Sequence, residues 1–279
     1  MQRAIFISLI IFLCQGVTLL HGQRNDLDRD DLKGSVLSVR ETVYSIPKTA
    51  GDSNSGDVIS DIIHYYNDSG NRVKTAVYKK DKLFSYSIYS YNKDDIPVSI
   101  IEYNPDGSDY LTIDFICDEK GFITNASYNR DQQKSFDDER KSIDVEYDVY
   151  YQNLFTKVEH EYDYKGYELE AVHLTSNDKL AFKFYYSYDY KYNLIETKYY
   201  NNSGTLSWRK KMKYDTDGML VRCRYYESNR IALTSVYDHE IDQSNNWVKR
   251  IETRSLHDNF FSEGLNDNTI ITFRNIEYY

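Results

Sequence analysis

The sequence predicts an all-β protein: an antiparallel meander of stacked β-hairpins, drawn out as an elongated twisted sheet or curled into a shell, with an internal duplication of about 97 residues. Three observations predict it. A short turn phrase recurs along the chain, the segments between phrases alternate polar and apolar residues, and many frame positions return at one long offset.

The opening 22 residues read as an address. Met1-Gln2-Arg3 places positive charge first, Ala4 to Leu13 is apolar apart from Ser8, and small Gly22 precedes the polar run Gln23-Arg24-Asn25-Asp26. This is the layout of a secretory signal peptide, too short and interrupted for a membrane helix. Cys14 follows bulky Phe12-Leu13, so cleavage near Gly22 is preferred to lipid attachment at Cys14. Residues 23–34 are expected to form an N-terminal tether, and 35–279 a single repeat domain with halves at about 35–135 and 136–279. The expected location is the periplasm, cell surface or exterior, with no membrane-spanning segment once the signal is removed.

The turn phrase is an aromatic residue, Asp or Asn, two polar residues and glycine. Tyr66-Asn67-Asp68-Ser69-Gly70, Tyr103-Asn104-Pro105-Asp106-Gly107, Tyr162-Asp163-Tyr164-Lys165-Gly166, Tyr200-Asn201-Asn202-Ser203-Gly204 and Tyr214-Asp215-Thr216-Asp217-Gly218 are full copies. Cys117-Asp118-Glu119-Lys120-Gly121 keeps the frame without the aromatic, and glycines of the pattern are missing at Ile96, Asn193 and Asn245. The Asp or Asn side chain can accept from backbone two residues on, and glycine supplies the positive φ of a type I turn with a bulge. Many phrases lie 11 to 15 residues apart, room for one strand and a tight turn. Parallel neighbours need a crossover of a dozen or more residues, so the strands must be antiparallel.

The strands show the matching period of two. In Leu206–Tyr214, Leu, Trp, Lys, Met and Tyr alternate with Ser, Arg, Lys and Lys; in 219–226, Met219, Val221, Cys223 and Tyr225 alternate with Leu220, Arg222, Arg224 and Tyr226. Such alternation gives a buried and a wet face. The long offset links Ser90-Tyr91-Asn92 to Ser187-Tyr188-Asp189 and Gly121 to Gly218 at 97 residues, and His64 to His160 at 96.

The Tyr-Asp-x-x-Gly phrases resemble the YD (RHS-like) repeats of exported bacterial proteins. The opening Leu32-Lys33-Gly34-Ser35-Val36-Leu37-Ser38-Val39 and the ending, Asn246-Trp247-Val248-Lys249-Arg250 and Ile270 to Tyr279, are similar to those of such proteins from Bacteroidetes. The resemblance implies stacked hairpins over about 32–279 and no particular activity.

Charge and chemistry narrow the function. Loss of Arg3 with the signal leaves 33 Lys+Arg against 44 Asp+Glu, which argues against a nucleic-acid partner. The basic run Arg209-Lys210-Lys211 with Lys213 reads as a solvated strand face. Cys117 and Cys223 read as two free thiols packed as small apolar groups. No HExxH, CxxC, phosphate loop or GxSxG elbow occurs, so no catalytic residues, metal or cofactor are assigned. Asp215-Thr216-Asp217-Gly218 lacks the remainder of a calcium loop.

The 29 tyrosines suit a thin sheet, their rings covering its faces while hydroxyls reach water or turn backbone. Some aromatics also offer platforms for sugar rings, and Trp208, Tyr199 and Trp247 are the ligand-binding candidates; Trp247 also reads as closing the C-terminal end of the stack. The function expected first is a noncatalytic cell-envelope scaffold or binding module for a glycan or an envelope protein. The second is a carbohydrate-active enzyme with a carboxylate pair in a groove. A third, an outer-membrane barrel, is disfavoured because Glu277 and Asn275 share the face of Tyr279, where lipid demands apolar side chains.

Overall fold

The computed structural model describes residues 25–47, 56–119, 123–130, 157–175, 177–257 and 268–279. The segment 1–22 expected as a signal, with Cys14, lies outside them, as does the expected boundary between halves at 135/136. One short helix, α1 (Asp26–Arg29), precedes β1 (Val36–Pro47), β2 (Asp57–Tyr66), β3 (Arg72–Lys79), β4 (Lys82–Tyr91), β5 (Pro97–Tyr103), β6 (Asp109–Cys117), β7 (Ile123–Arg130) and β8 (Lys157–Tyr162). The second run is β9 (Glu168–Leu174), β10 (Leu180–Tyr188), β11 (Leu194–Tyr200), β12 (Leu206–Tyr214), β13 (Leu220–Glu227), β14 (Arg230–Ile241), β15 (Trp247–Leu256) and β16 (Asn268–Tyr278).

Each strand pairs antiparallel with its neighbours in sequence, and β1 pairs with β16. The meander is therefore closed into a 16-stranded barrel, which corrects the expected open twisted sheet or shell. The physical reason lies in the turns. Beside the turns, the register slips by one residue at Tyr65/Tyr66, Ser90/Tyr91, Ile116/Cys117, Glu161/Tyr162, Ser187/Tyr188, Lys213/Tyr214 and Glu240/Ile241. Slips recur at the opposite end, at Val77/Tyr78, Glu102/Tyr103, Tyr199/Tyr200 and Tyr225/Tyr226; bulges add local twist and bend a sheet, and repeated at both ends of successive hairpins they curl it until its edges meet. What repeats in the structure is the hairpin: Tyr162, Tyr188 and Tyr214 end β8, β10 and β12 and stand 26 residues apart. The 96–97-residue offset links β2 to β8, β4 to β10 and β6 to β12, a step of three hairpins.

The phrase residues act as anticipated. In the turns opened by Asn67, Asn92, Asp163, Asp189, Asp215 and Asp242 the side-chain Oδ1 accepts backbone N–H groups two or four residues on, as Asp189 does from Lys191 (2.8 Å) and Asn193 (2.9 Å). The preceding tyrosine ties that turn to the start of the strand before it: Tyr188 Oη donates to the Glu168 carbonyl and Tyr214 Oη to the Leu194 carbonyl, both at 2.9 Å. Cys117, standing where the aromatic is replaced, points its thiol at the Pro97 carbonyl at 3.5 Å. The left-handed residues correct the glycine frame. They are Asp95, Tyr192 and Asn245, so the missing glycines fall at Asp95 and Tyr192, one residue before the expected Ile96 and Asn193.

Residues 25–34, expected as a tether, dock in one mouth of the barrel. Asn25 caps α1 by accepting from Asp28 N at 2.9 Å. Asp26 Oδ2 accepts from Arg72 N at 2.6 Å and pairs with Arg29 through its other oxygen. Asp30 Oδ2 accepts from Tyr66 Oη (2.6 Å) and Arg72 Nη2 (2.5 Å). Arg29 lies within electrostatic reach of Tyr91, ending β4, and of Tyr162, ending β8. Since β8 stands opposite the β1–β16 seam in the strand order, this segment reaches across that mouth and plugs it, and the side chains it meets face inward. Three apolar clusters line the inner wall: Ile100, Ile113, Ile123 and Ala126; Leu27, Leu32, Val36, Val39 and Tyr66; and Trp208, Tyr225, Ala232 and Leu233. Cys117 and Cys223 are free thiols.

Candidate functional site

The sequence candidates separate into two places. Tyr199 and Trp208 meet on the inner wall, ring centroids 5.4 Å apart and 10° from parallel, with Phe184 and Tyr225 against them. Trp208 is only 6% exposed, so this stack is packing and leaves no free indole face. Trp247 begins β15 at the plugged mouth, where the Arg274 guanidinium lies 3.6 Å and that of Arg250 4.6 Å from its ring centroid. It closes no end of a stack, because a closed barrel has none.

The inward carboxylates are held by cations. Arg274 Nε donates to Glu41 Oε1 at 2.6 Å, Arg254 Nε to Glu252 Oε1 at 2.8 Å, and Arg72 pairs with Asp30. Burial opposes ionisation of Asp30, Glu41 and Glu252, yet the neighbouring arginines hold all three below the usual carboxylate range. A general acid for glycoside cleavage needs the opposite shift. His160 Nδ1 lies 2.5 Å from Glu168 Oε1, and His64 Nδ1 2.9 Å from Thr75 Oγ1. Among the described residues no cluster of three His, Cys, Asp or Glu side chains could hold a metal.

A different aromatic group stands free on the rim of the plugged mouth. The turn Asp163-Tyr164-Lys165-Gly166-Tyr167 joins β8 to β9, and the turn Asp189-Tyr190-Lys191-Tyr192-Asn193 joins β10 to β11. Tyr164 is 78% and Tyr190 86% exposed, beyond any core duty. Tyr192 stacks on Tyr167 with centroids 4.3 Å apart, and Lys165 Nζ stands 4.1 Å from the Tyr192 ring centroid. Tyr164 Oη lies 3.4 Å from Tyr192 Oη. Hydrogen bonding to Tyr164 and Lys165 holds the Tyr192 phenol below its usual value. Lys191 Nζ donates to the Thr216 carbonyl at 2.9 Å, bracing the next turn.

Tyr192 carries the strain of this arrangement. Its φ of +65° occupies the position where Gly70, Gly166 and Gly218 sit in sister turns. A bulky residue there is a genuine outlier costing roughly 1–3 kcal/mol. The left-handed backbone is what presents the ring beside Tyr167 and Lys165. Inspection of the sequence for stacking residues favoured Trp and strand-end Tyr and missed these. The available signal was the tandem Asp-Tyr-Lys at 163–165 and 189–191.

The molecule is thus a plugged, closed antiparallel barrel with a tyrosine-bearing rim. In fold it is similar to a porin-like protein from Bacteroides uniformis ATCC 8492, at a TM-score of 0.55 and 9% identity over 88% of this chain and 99% of that one. A porin-like protein from Bacteroides vulgatus ATCC 8482 aligns at 0.42 with 12% identity, over 88% and 98% of the two chains. The Photorhabdus luminescens Tc holotoxin pore aligns at 0.32 with 12% identity, over 81% of this chain and 12% of that chain. At 9% identity the first likeness is one of fold alone, and the other two carry no argument. No protein-family model and no curated protein matches the chain.

Proposed function

We propose that this is an exported, noncatalytic binding module of the cell envelope, and that the rim tyrosines of the β8–β9 and β10–β11 turns hold a glycan. The observation that carries this reading is Tyr192, an aromatic kept at φ +65° where sister turns use glycine or a short Asp or Asn. Strain of this kind persists when the surrounding structure over-determines it, and it gathers at ligand-binding positions. Tyr164 and Tyr190 add exposed ring faces for the C–H surface of a sugar, and Lys165 and Lys191 add donors for its hydroxyls or acidic groups.

The barrel stands in water in this reading. Lys183, Glu196, Lys211 and Glu240 sit on outward positions of its wall, and Lys183–Glu170 and Lys198–Glu196 pair across or along it. A lipid-facing band rejects such charges. Among the described residues no helix is long and apolar enough to cross a membrane. The enzyme alternative is weakened by the arginine-held carboxylates of the bore.

A glycan array probed with the purified chain tests the proposal. Binding is expected for the parent and a loss of at least tenfold for Tyr164→Ala with Tyr190→Ala, while both proteins keep the same circular dichroism and melting curve. Equal binding by the double variant, or turnover of a bound glycan, overturns it.

A further inference from the structure

The outer wall over β11–β13 carries a charge pattern that folding does not favour. Inward residues here are Tyr199, Trp208 and Tyr225, packed together; the alternating residues point away from the bore. Those outward positions hold Lys198, Arg209, Lys211, Lys213, Arg222 and Arg224. Three of the cross-strand pairs are like-charged: Lys198 opposite Arg209, Lys211 opposite Arg224, and Lys213 opposite Arg222. Like charges directly opposed on a sheet destabilise it. The chain as a whole has a formal charge of −10, so acidic residues to offset these were available, yet this wall carries only Glu196, which takes Lys198 and Lys211. Among the described residues no carboxylate pairs with Arg209, Lys213, Arg222 or Arg224 at ion-pair distance.

Two tyrosines, Tyr200 and Tyr226, flank this patch on its outward face. Arg209 lies 4.7 Å from the ring centroid of Tyr226, and Tyr200 stands beside Lys183. Aliphatic side chains are confined to the margins of the patch: Leu206, opposite Tyr200 at one end, and Val236, opposite Arg222 on β14. A protein partner or a lipid surface gains most from a continuous apolar contact, and these two side chains do not form one. Strands lie about 4.8 Å apart and alternate side chains about 7 Å apart along them, so the cations form a grid roughly 10 Å by 13 Å. That footprint suits a single linear chain with regularly spaced negative groups.

We infer that the outer face of β11–β13 is a docking surface for an acidic polysaccharide, its carboxylates meeting the lysine and arginine grid and its sugar faces the flanking tyrosines. This surface is separate from the rim platform, and it stands or falls independently of the glycan held there.

The test uses the full mature chain, with polygalacturonate as the acidic probe, dextran as the neutral one, and phosphatidylglycerol vesicles as the membrane one. Saturable binding to polygalacturonate alone is expected, weakening at least tenfold between 50 and 200 mM salt, on the order of the loss seen when several charge contacts are made. Arg224→Glu and Lys213→Glu each place an anion among the cations. Each is expected to cut polygalacturonate affinity at least fivefold while leaving the melting temperature unchanged or higher, because a like-charged pair becomes an opposite pair. Tyr164→Ala with Tyr190→Ala is expected to leave this binding intact, which separates it from the rim. Absence of polygalacturonate binding, equal binding of dextran, tighter binding of the vesicles, or full affinity in both charge-reversed variants would overturn the inference. A variant that loses both affinity and melting temperature would do so as well, since the grid would then be structural.

Discussion

At the scale of the residue, the seven bulged turns of the plugged mouth show how one phrase accepts several chemistries. Asp or Asn opens the turn because its Oδ1 takes one or two backbone N–H groups in the turns described in full; the left-handed position is freer and holds Gly, Asp, Asn or Tyr. Of these only Tyr192 trades backbone comfort for ring contacts. Truncating a packed tyrosine ordinarily costs a few kcal/mol. Tyr192→Gly is expected to depart from that rule: relief of about 1–2 kcal/mol of left-handed strain offsets the lost stacking on Tyr167, so the denaturation midpoint should not fall. Urea melts of the parent and variant decide it. The Asx chemistry was legible in the sequence because it is local. The strain was not, because an L-residue forced to positive φ looks like any other letter, and so the glycine frame was set one residue late at Ile96 and Asn193.

At the scale of the element, the docked segment 25–34 is the part least legible in advance. Four helical residues rich in charge, Asp26–Arg29, give no apolar period, and their meaning lies in partners distant in sequence. Gly70 is fitted to them: a Cβ there would stand 2.6 Å from Asn25 Nδ2. Asp30 is the critical member, since it holds the buried Arg72 and the Tyr66 hydroxyl. Asp30→Ala leaves Arg72, 5% exposed, without its carboxylate in a closed space. Breaking a buried pair from one side costs about 3–5 kcal/mol. Calorimetry should therefore show a large fall in melting temperature for Asp30→Ala. The strands, by contrast, were readable from their period of two, and the free state of Cys117 and Cys223 followed from their separate places.

At the scale of the whole molecule, closure escaped sequence reading because it depends on the sum of many bulges and on a pairing between the first and last strands. The inner wall it creates sets the response to acid. Burial holds His173 at about 3, and burial with the Arg72 charge holds His64 at about 4, against an ordinary value near 6.5. Both are neutral in the folded barrel, whereas the unfolded chain protonates below 6.5. Stability is therefore fully present above that value and lost as pH falls toward the folded values, by up to about 2 kcal/mol per histidine at pH 5. The carboxylates of Asp30, Glu41 and Glu252, lowered by arginines, extend the loss below about pH 4. Melting temperatures at pH 7 and pH 5 should differ by several degrees. His173→Phe, which keeps a ring against Phe182, should narrow that gap.

The seam between β1 and β16 has a kinetic consequence. Val36 is matched with Tyr278 and Pro47 with Asn268, contacts spanning nearly the entire polypeptide. Hairpins can zip one after another along the chain, but the leading edge stays unlatched until the trailing one arrives. Throughout that interval two rows of amides and carbonyls are open to any stray strand, the condition under which sheets stick to one another. The finished barrel has no such edge, so the hazard belongs to assembly, and a holding chaperone would be needed before the latch rather than after it.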